Sequence, residues 1–239
     1  MESIVLKFGG AALRDLAQFQ KVAAIIIEKK TIYDRIVVVV SAMGTMTDEL
    51  LAMAHQIMVD PPKREQDMLI SVGERISMAL LAMALFKEGY QAISFTGSQA
   101  GIITSTEHSD ARVLEVKPKR ILSHLERGEI VIVAGFQGVS FDGEITTLGR
   151  GGSDTTAVAL AVALKAERVE FYKDVKGIFT KDPKKEPLAK HIAELDYEEA
   201  LEVIGRSERK VIHPRAVELA AKNGVPLFLG DTVIRGCVI

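Results

Sequence analysis

Short runs of strand-forming residues alternate with helix-length stretches along this chain, and no other feature limits its possible folds as much. The runs are Ile4 to Phe8, Arg35 to Val40, Gln91 to Phe95, Glu129 to Ala134, Arg168 to Tyr172 and Val225 to Leu229. Between them lie Asp15 to Lys30, Thr47 to Met58, Lys63 to Lys87, Lys117 to Arg127, Ser153 to Lys165, Tyr197 to Ile204 and Pro214 to Lys222. Parallel strands buried on both faces read as near-continuous apolar runs, and each parallel pair needs a crossover, usually a helix. The alternation therefore predicts an α/β fold, a three-layer αβα sandwich around a mainly parallel sheet. The punctuation agrees. Pro61-Pro62 separates two helices, Gly89 and Gly128 end helices before strands, and Pro214 stands where a first-turn proline is tolerated.

At 239 residues one domain is the expectation, and any division into lobes falls near Gly135 to Arg150, where Val139 to Ile145 reads as a short polar hairpin. Thirty Lys+Arg against 32 Asp+Glu leave no cationic surplus for a phosphate backbone or an anionic membrane, so neither nucleic acid nor a membrane is expected as a partner. With no Trp and 5% aromatics there is no base-stacking platform. The single cysteine, Cys237, excludes an internal disulfide and a multi-cysteine zinc site, and fits a reducing compartment. The N-terminus reads without a signal-peptide core, and no unbroken apolar run approaches the roughly 18 residues of a membrane span. The expected location is the cytoplasm.

Three glycine-containing turns follow expected strands, the place where open α/β sheets bind ligands. The first is Lys7-Phe8-Gly9-Gly10, where backbone N–H groups and a lysine could meet a phosphate. Taken alone it is equally an ordinary turn, and neither the Walker nor the dinucleotide-binding pattern is present. The second is Leu148-Gly149-Arg150-Gly151-Gly152-Ser153-Asp154, at the start of an apolar helix. A helix start carries unpaired N–H groups and positive potential, and Arg150 can grip a carboxylate with two hydrogen bonds. An N-cap at Ser153 would explain Ser153 and Asp154, but not Arg150 and the glycines, so an anion site is favoured. The third is Tyr172 to Lys184, whose lysines suit either phosphates or a solvated hairpin. Ser41 to Asp48 offers hydroxyls at another helix start, and Glu74 sits in an apolar stretch where a carboxylate is costly to bury unpaired. The five histidines show no metal spacing, and His213-Pro214 reads as the beginning of a helix.

Together, Lys7-Phe8-Gly9-Gly10, Val40-Ser41-Ala42-Met43-Gly44, Gly73-Glu74, Gly135-Phe136-Gln137-Gly138, Leu148 to Asp154 and Asp174-Val175-x-Gly177-Ile178-Phe179-Thr180-x-Asp182-Pro183 resemble the catalytic domain of aspartate kinases, in the amino acid kinase superfamily. The resemblance runs from Lys7 almost to Ile239, and Leu-Gly-Arg-Gly-Gly-Ser-Asp is specific to aspartokinases within that superfamily. It implies the amino acid kinase fold, with an aspartate-binding lobe over about 1–145 and an ATP-binding lobe over about 146–239. It also implies transfer of the ATP γ-phosphate to the β-carboxylate of L-aspartate, the first step toward lysine, threonine and methionine, with Mg2+ held mainly through the phosphates.

The roles implied by the resemblance are these. Lys7, Asp154 and Lys210 form the catalytic set, Asp154 orienting the lysines. Thr47, Glu74, Arg150, Gly151, Gly152 and Ser153 hold aspartate, Glu74 at its ammonium and Arg150 at its α-carboxylate. Lys7, Phe8, Gly9, Gly10, Ser41, Lys173, Asp174, Phe179, Thr180, Lys181, Asp182, Pro183, Lys184 and Lys210 meet ATP. The expected assembly is a homodimer, with a regulatory ACT region on a separate subunit or fused domain and none within this chain. The sequence departs from the family at Ala11-Ala12, where hydroxyl residues are usual, at Lys173 and Lys184, and in the length of Ser207-Glu208-Arg209-Lys210. Ala11-Ala12 keeps open a second reading, a catalytically weakened member that binds nucleotide or amino acid as a regulatory subunit.

Overall fold

The computed structural model describes residues 2–181, 185–186, 188–206 and 210–236. In chain order its elements are β1 (Ser3–Phe8), α1 (Leu16–Lys30), β2 (Arg35–Val40), α2 (Met46–Ile57), α3 (Lys63–Ile70), α4 (Val72–Lys87), β3 (Ala92–Phe95), β4 (Ile102–Thr104), β5 (Val113–Val116), α5 (Lys119–Glu126), β6 (Ile130–Ala134), β7 (Gln137–Ser140), β8 (Ile145–Thr147), α6 (Gly152–Leu164), β9 (Val169–Tyr172), β10 (Ile178–Phe179), β11 (His191–Ile192), β12 (Glu194–Leu195), α7 (Tyr197–Arg206), α8 (Pro214–Asn223), β13 (Leu227–Leu229) and β14 (Thr232–Ile234). The main sheet has the order β12-β14-β13-β9-β1-β2-β6-β3, parallel throughout except between β13 and β14. All six expected strands belong to it.

Two apolar layers sit on its faces, and strand alternation assigns residues between them. Ile4, Leu6 and Phe8 of β1 join Ile36, Val38 and Val40 of β2 under α1 and α4. Val5, Val37 and Val39 face the other way, against α5, α6, α7 and α8. The next inward position after Val5 on that second face is Lys7. A lysine is thereby aimed at α6 from the middle of the sheet.

Three features differ from the sequence expectation. The stretch Lys63 to Lys87 is two helices meeting at Ser71, whose carbonyl accepts a hydrogen bond from Gln137 Nε2 at 2.8 Å. This stretch is also long and apolar enough by composition to cross a membrane, although no unbroken apolar run within it is. In the structure its Leu81 and Leu85 are fully buried in the core. Finally, a second sheet, β5-β4-β7-β8, extends the expected 139–145 hairpin by two strands of three and four residues. Such short strands carry too little periodicity to be separated from loop.

The apolar stretch supplies a test of the layer assignment. Leu81→Ala should lower unfolding free energy by about 2–5 kcal/mol, because it opens a cavity in the core. Met83→Ala, on the exposed face of the same helix, should change it by less than about 0.5 kcal/mol. Urea denaturation of both variants reads the difference.

Candidate active site

A cleft of about 800 Å³ lies at the C-terminal ends of β1, β2 and β9 and beneath the start of α6. A smaller pocket of about 210 Å³ shares Lys7, Gly10, Lys173 and Lys210 with it and adds Gly9, Ala11, Asp174, Val175 and Val211. At the floor, Lys7 Nζ stands 2.9 Å from Asp154 Oδ1. Lys173, which follows β9, places its Nζ 2.8 Å from Asp154 Oδ2 and 2.6 Å from the Val211 carbonyl. The His213 N–H also donates to Asp154 Oδ2, at 3.1 Å.

Burial alone would raise the Asp154 pKa, but the Lys7 and Lys173 charges overcome it and hold the carboxyl below its ordinary value. Lys173 is pushed the other way. Burial and the Lys7 charge lower its pKa to about 8, against the pull of Asp154. Two ammonium groups thus share one carboxylate, and the cluster carries excess positive charge facing the cleft.

On the cleft wall, Glu74 stands in the first turn of α4 and is 3% exposed. Its Oε1 accepts the Ala42 N–H at 3.0 Å, while Oε2 is buried with no partner among the described residues. Burial raises its pKa to about 7, opposed by the amide hydrogen bonds from Ala42 and Glu74 itself and by Lys7. Arg150 lies at the same cleft, exposed. It sits between Gly149 and Gly151, with φ of +72° and +73°, a left-handed backbone that side chains beyond glycine resist. At Gly151 the space is closed as well, since a Cβ would fall 2.2 Å from His213 Cβ.

Of the other expected site residues, Ser41, Thr47, Gly151, Gly152 and Ser153 line the cleft. Ser153 is not the N-cap. α6 begins at Gly152 with Gly151 as cap, which leaves Ser153 buried in the first turn. Phe8 is a core residue, stacked on Tyr172 with centroids 4.6 Å apart, and contributes no side chain to either cavity. Strand alternation is the reason, because Phe8 points to the face opposite Lys7. Lys210 lines the rim, but its Nζ donates to the carbonyls of Ile204 and Gly205 at 2.8 and 2.7 Å, at the end of α7. Phe179 and Thr180 belong to the β10–β11 hairpin, outside the lining of both cavities, and Lys181 is exposed beyond them. Asp182, Pro183 and Lys184 fall outside the described residues.

The sequence reading missed His213 and Ser109, which also line the cleft. His213 does begin α8, as expected, yet its Nδ1 is buried with no partner among the described residues and burial lowers its pKa. No spacing rule connects it to Gly151, and only the missing Cβ there reveals the contact.

The model for the amino acid kinase family matches residues 2–231. An aspartokinase of Geobacillus stearothermophilus is 54% identical across 95% of this chain and 56% of its own length. One of Bacillus sp. (strain MGA3) is 52% identical across 98% and 57%. The chain spans a little over half the length of these curated relatives. Among solved structures, aspartate kinase from Synechocystis superposes with a TM-score of 0.85 at 42% identity, covering 99% of this chain and 40% of that one. E. coli aspartokinase III in complex with aspartate and ADP gives 0.89 at 28%, covering 100% and 65%. A UMP kinase from Bacillus anthracis, TM-score 0.71 at 18% identity, shares the fold. The family match, over residues 2–231, takes in every residue that lines the cleft, and the chain belongs to the amino acid kinase family.

Proposed function

We propose that this chain is the catalytic unit of an aspartate kinase, transferring the γ-phosphoryl group of ATP to the β-carboxylate of L-aspartate to give 4-phospho-L-aspartate and ADP. The observation that carries the reading is the complementarity of one cleft. Its floor holds the surplus positive charge of Lys7 and Lys173 around Asp154, and its walls present an unpartnered carboxylate oxygen on Glu74 and the guanidinium of Arg150. A free α-amino acid has the matching ends, an ammonium for Glu74 and a carboxylate for Arg150. Its side-chain carboxylate is then left to face the lysines. The aspartokinase relatives, and the solved relative holding aspartate and ADP, support the same reading.

The chemistry asks little of acid–base groups. A β-carboxylate, which ordinarily titrates at about pH 3.9, is already ionised at neutral pH and attacks without a general base. One oxygen–phosphorus bond forms as the bond to the ADP leaving oxygen breaks, and no proton moves. Lys7 neutralises charge on the transferred phosphoryl group, Lys173 serves the nucleotide side, and Asp154 fixes both ammonium groups at one position. Mg2+ fits as a passenger on the nucleotide phosphates, where it would offset their charge. No group of three His, Cys, Asp or Glu side chains among the described residues could cage a metal, and Asp154 is committed to the two lysines. In this reading residues 1–145 supply Thr47 and Glu74 to aspartate and Lys7, Gly9, Gly10 and Ser41 to the phosphates, residues 146–239 supply the rest of the nucleotide side, and Arg150 reaches across to aspartate.

The weakened-member reading rests on Ala11-Ala12. Only Ala11 lines a cavity, whereas Ala12 packs against the core. At most one of the two absent hydroxyls would have faced phosphate, at about 1 kcal/mol for a hydrogen bond. Full turnover is therefore favoured.

Incubation with Mg-ATP, L-aspartate and hydroxylamine should trap the acyl phosphate as a hydroxamate, with matching ADP release. Ligand binding by calorimetry without any trapped product would establish the weakened member instead. Arg150→Ala should raise KM for aspartate about 10- to 100-fold while leaving KM for ATP within about twofold. Lys7→Ala should lower kcat about 10²- to 10³-fold. Glu74, with a pKa of about 7 before binding, is partly protonated at neutral pH, and an ammonium beside it favours the ionised form. Aspartate binding should release a proton near pH 7, so affinity should rise with pH up to about 7 and level off above. Calorimetry in buffers of different ionisation enthalpy measures that proton, and Glu74→Gln should abolish its release.

A further inference from the structure

Asp67 is fully buried, far from the lysine cluster in sequence, and takes no part in the mechanism above. Its two carboxylate oxygens collect donors from two other segments. Thr147 donates its N–H to Oδ2 at 3.1 Å and its hydroxyl to Oδ1 at 2.6 Å. Ser109 donates its N–H to both oxygens at 3.1 and 3.0 Å, and His108 Nδ1 is 2.8 Å from Oδ2. A buried carboxylate satisfied this completely is rigid, and removing it would strand several donors.

What Asp67 holds is the approach to Arg150. Thr147 ends β8 and is followed by Leu148, Gly149 and Arg150. Arg150 makes no hydrogen bond or ion pair to another described residue, so what the fold fixes is the point and direction from which its side chain leaves the turn. The Ser109 side braces the same turn: a Cβ on Gly149 would lie 2.9 Å from Asp110 Oδ1 and 3.1 Å from the Ser109 carbonyl. Arg215 of α8 in turn grips Asp110 through two hydrogen bonds, at 2.6 and 3.0 Å.

Asp67 and Glu74 are seven residues apart on the nearly continuous α3–α4 rod. Seven residues are close to two full turns, or about 10 Å of rise, so both carboxylates leave the same helical face. We infer that Asp67 is a positioning residue for amino-acid recognition. Through Thr147 it ties the turn bearing Arg150 to the helix bearing Glu74 and fixes the separation of the two groups that read the substrate's carboxylate and ammonium. This rests on the reading of Arg150 and Glu74 given above.

The test compares Asp67→Asn, Thr147→Val and Thr147→Ser in the intact chain, by steady-state kinetics and by hydrogen exchange of the backbone. Asp67→Asn turns an acceptor into a donor facing other donors. It should raise KM for aspartate about tenfold or more, leave KM for ATP within about twofold, and speed exchange at residues 147–151 but not in β1 or β2. Thr147→Val should move the same quantities in the same direction by less, and Thr147→Ser, which keeps the hydroxyl, should restore them. If Asp67→Asn does not fold, the Thr147 pair carries the same KM comparison. Equal rises in both KM values, or an unchanged KM for aspartate, overturn the proposal. If the unsubstituted chain shows no aspartate-dependent turnover, the substrate reading fails separately. Exchange then decides the hold of Asp67 on the turn, and unchanged exchange at 147–151 overturns it.

Discussion

The structure turns on one carboxylate shared by two ammonium groups in a place almost closed to water. Lys7 and Asp154 are 4% and 3% exposed, and neither charge could be kept there alone, since an isolated buried charge costs several kcal/mol. Mutual compensation makes the cluster tolerable, and the imbalance within it makes it useful. One negative charge cannot satisfy two positive ones, so the site retains an appetite for anions. Burial first, and the neighbouring Lys7 charge with it, lower the pKa of Lys173. The sheet makes this possible because β1 is central, with β2 and β9 fixed on either side of it, so Lys7 has no freedom to swing toward solvent.

The cleft divides its charged groups into those already paired and those left waiting. Asp154, Lys173 and Lys210 have protein partners. Arg150 and Glu74 Oε2 have none among the described residues. Pairing costs rotamer entropy during folding and pre-organises the lysine cluster. Leaving Glu74 Oε2 bare costs stability, and such a cost makes physical sense where a ligand later supplies the missing donor. Net charge plays no part in this. A chain with a formal charge of -2 builds an anion site from a few local cations.

How much of this is visible in the sequence follows from the length scale of each signal. The six main strands and the long helices show because burial on both faces imposes an apolar period over many residues. Lys7, Asp154, Arg150 and Glu74 show because each breaks that pattern beside a glycine or a helix start. β4, β5 and the break at Ser71 do not, because three or four residues hold no period and Ser71 keeps near-helical angles, φ -65° and ψ -12°. The resemblance to aspartate kinases implies a nucleotide contact for Phe8, whereas strand alternation sends its side chain to the opposite face. His213 and Asp67 escape notice for a different reason. A histidine before proline and an aspartate on an amphipathic helix are both ordinary, and their partners lie 59 and 80 residues away in sequence.

Those long separations bear on how such a site stays accurate. Arg150 projects from a turn flanked by two left-handed glycines, the most pliable backbone available. A pliable turn can place a guanidinium well only if its surroundings leave it one conformation. Three braces do so from different elements: Asp67 of α3 before the turn, the Asp110 pair with Arg215 beside it, and His213 against Gly151 after it. The glycines therefore act as shape and not as freedom, since each admits a neighbour that a Cβ would displace. In the proposed reading, recognition of the small end of an amino acid needs both the residues that touch it and the packing that holds a flexible loop still.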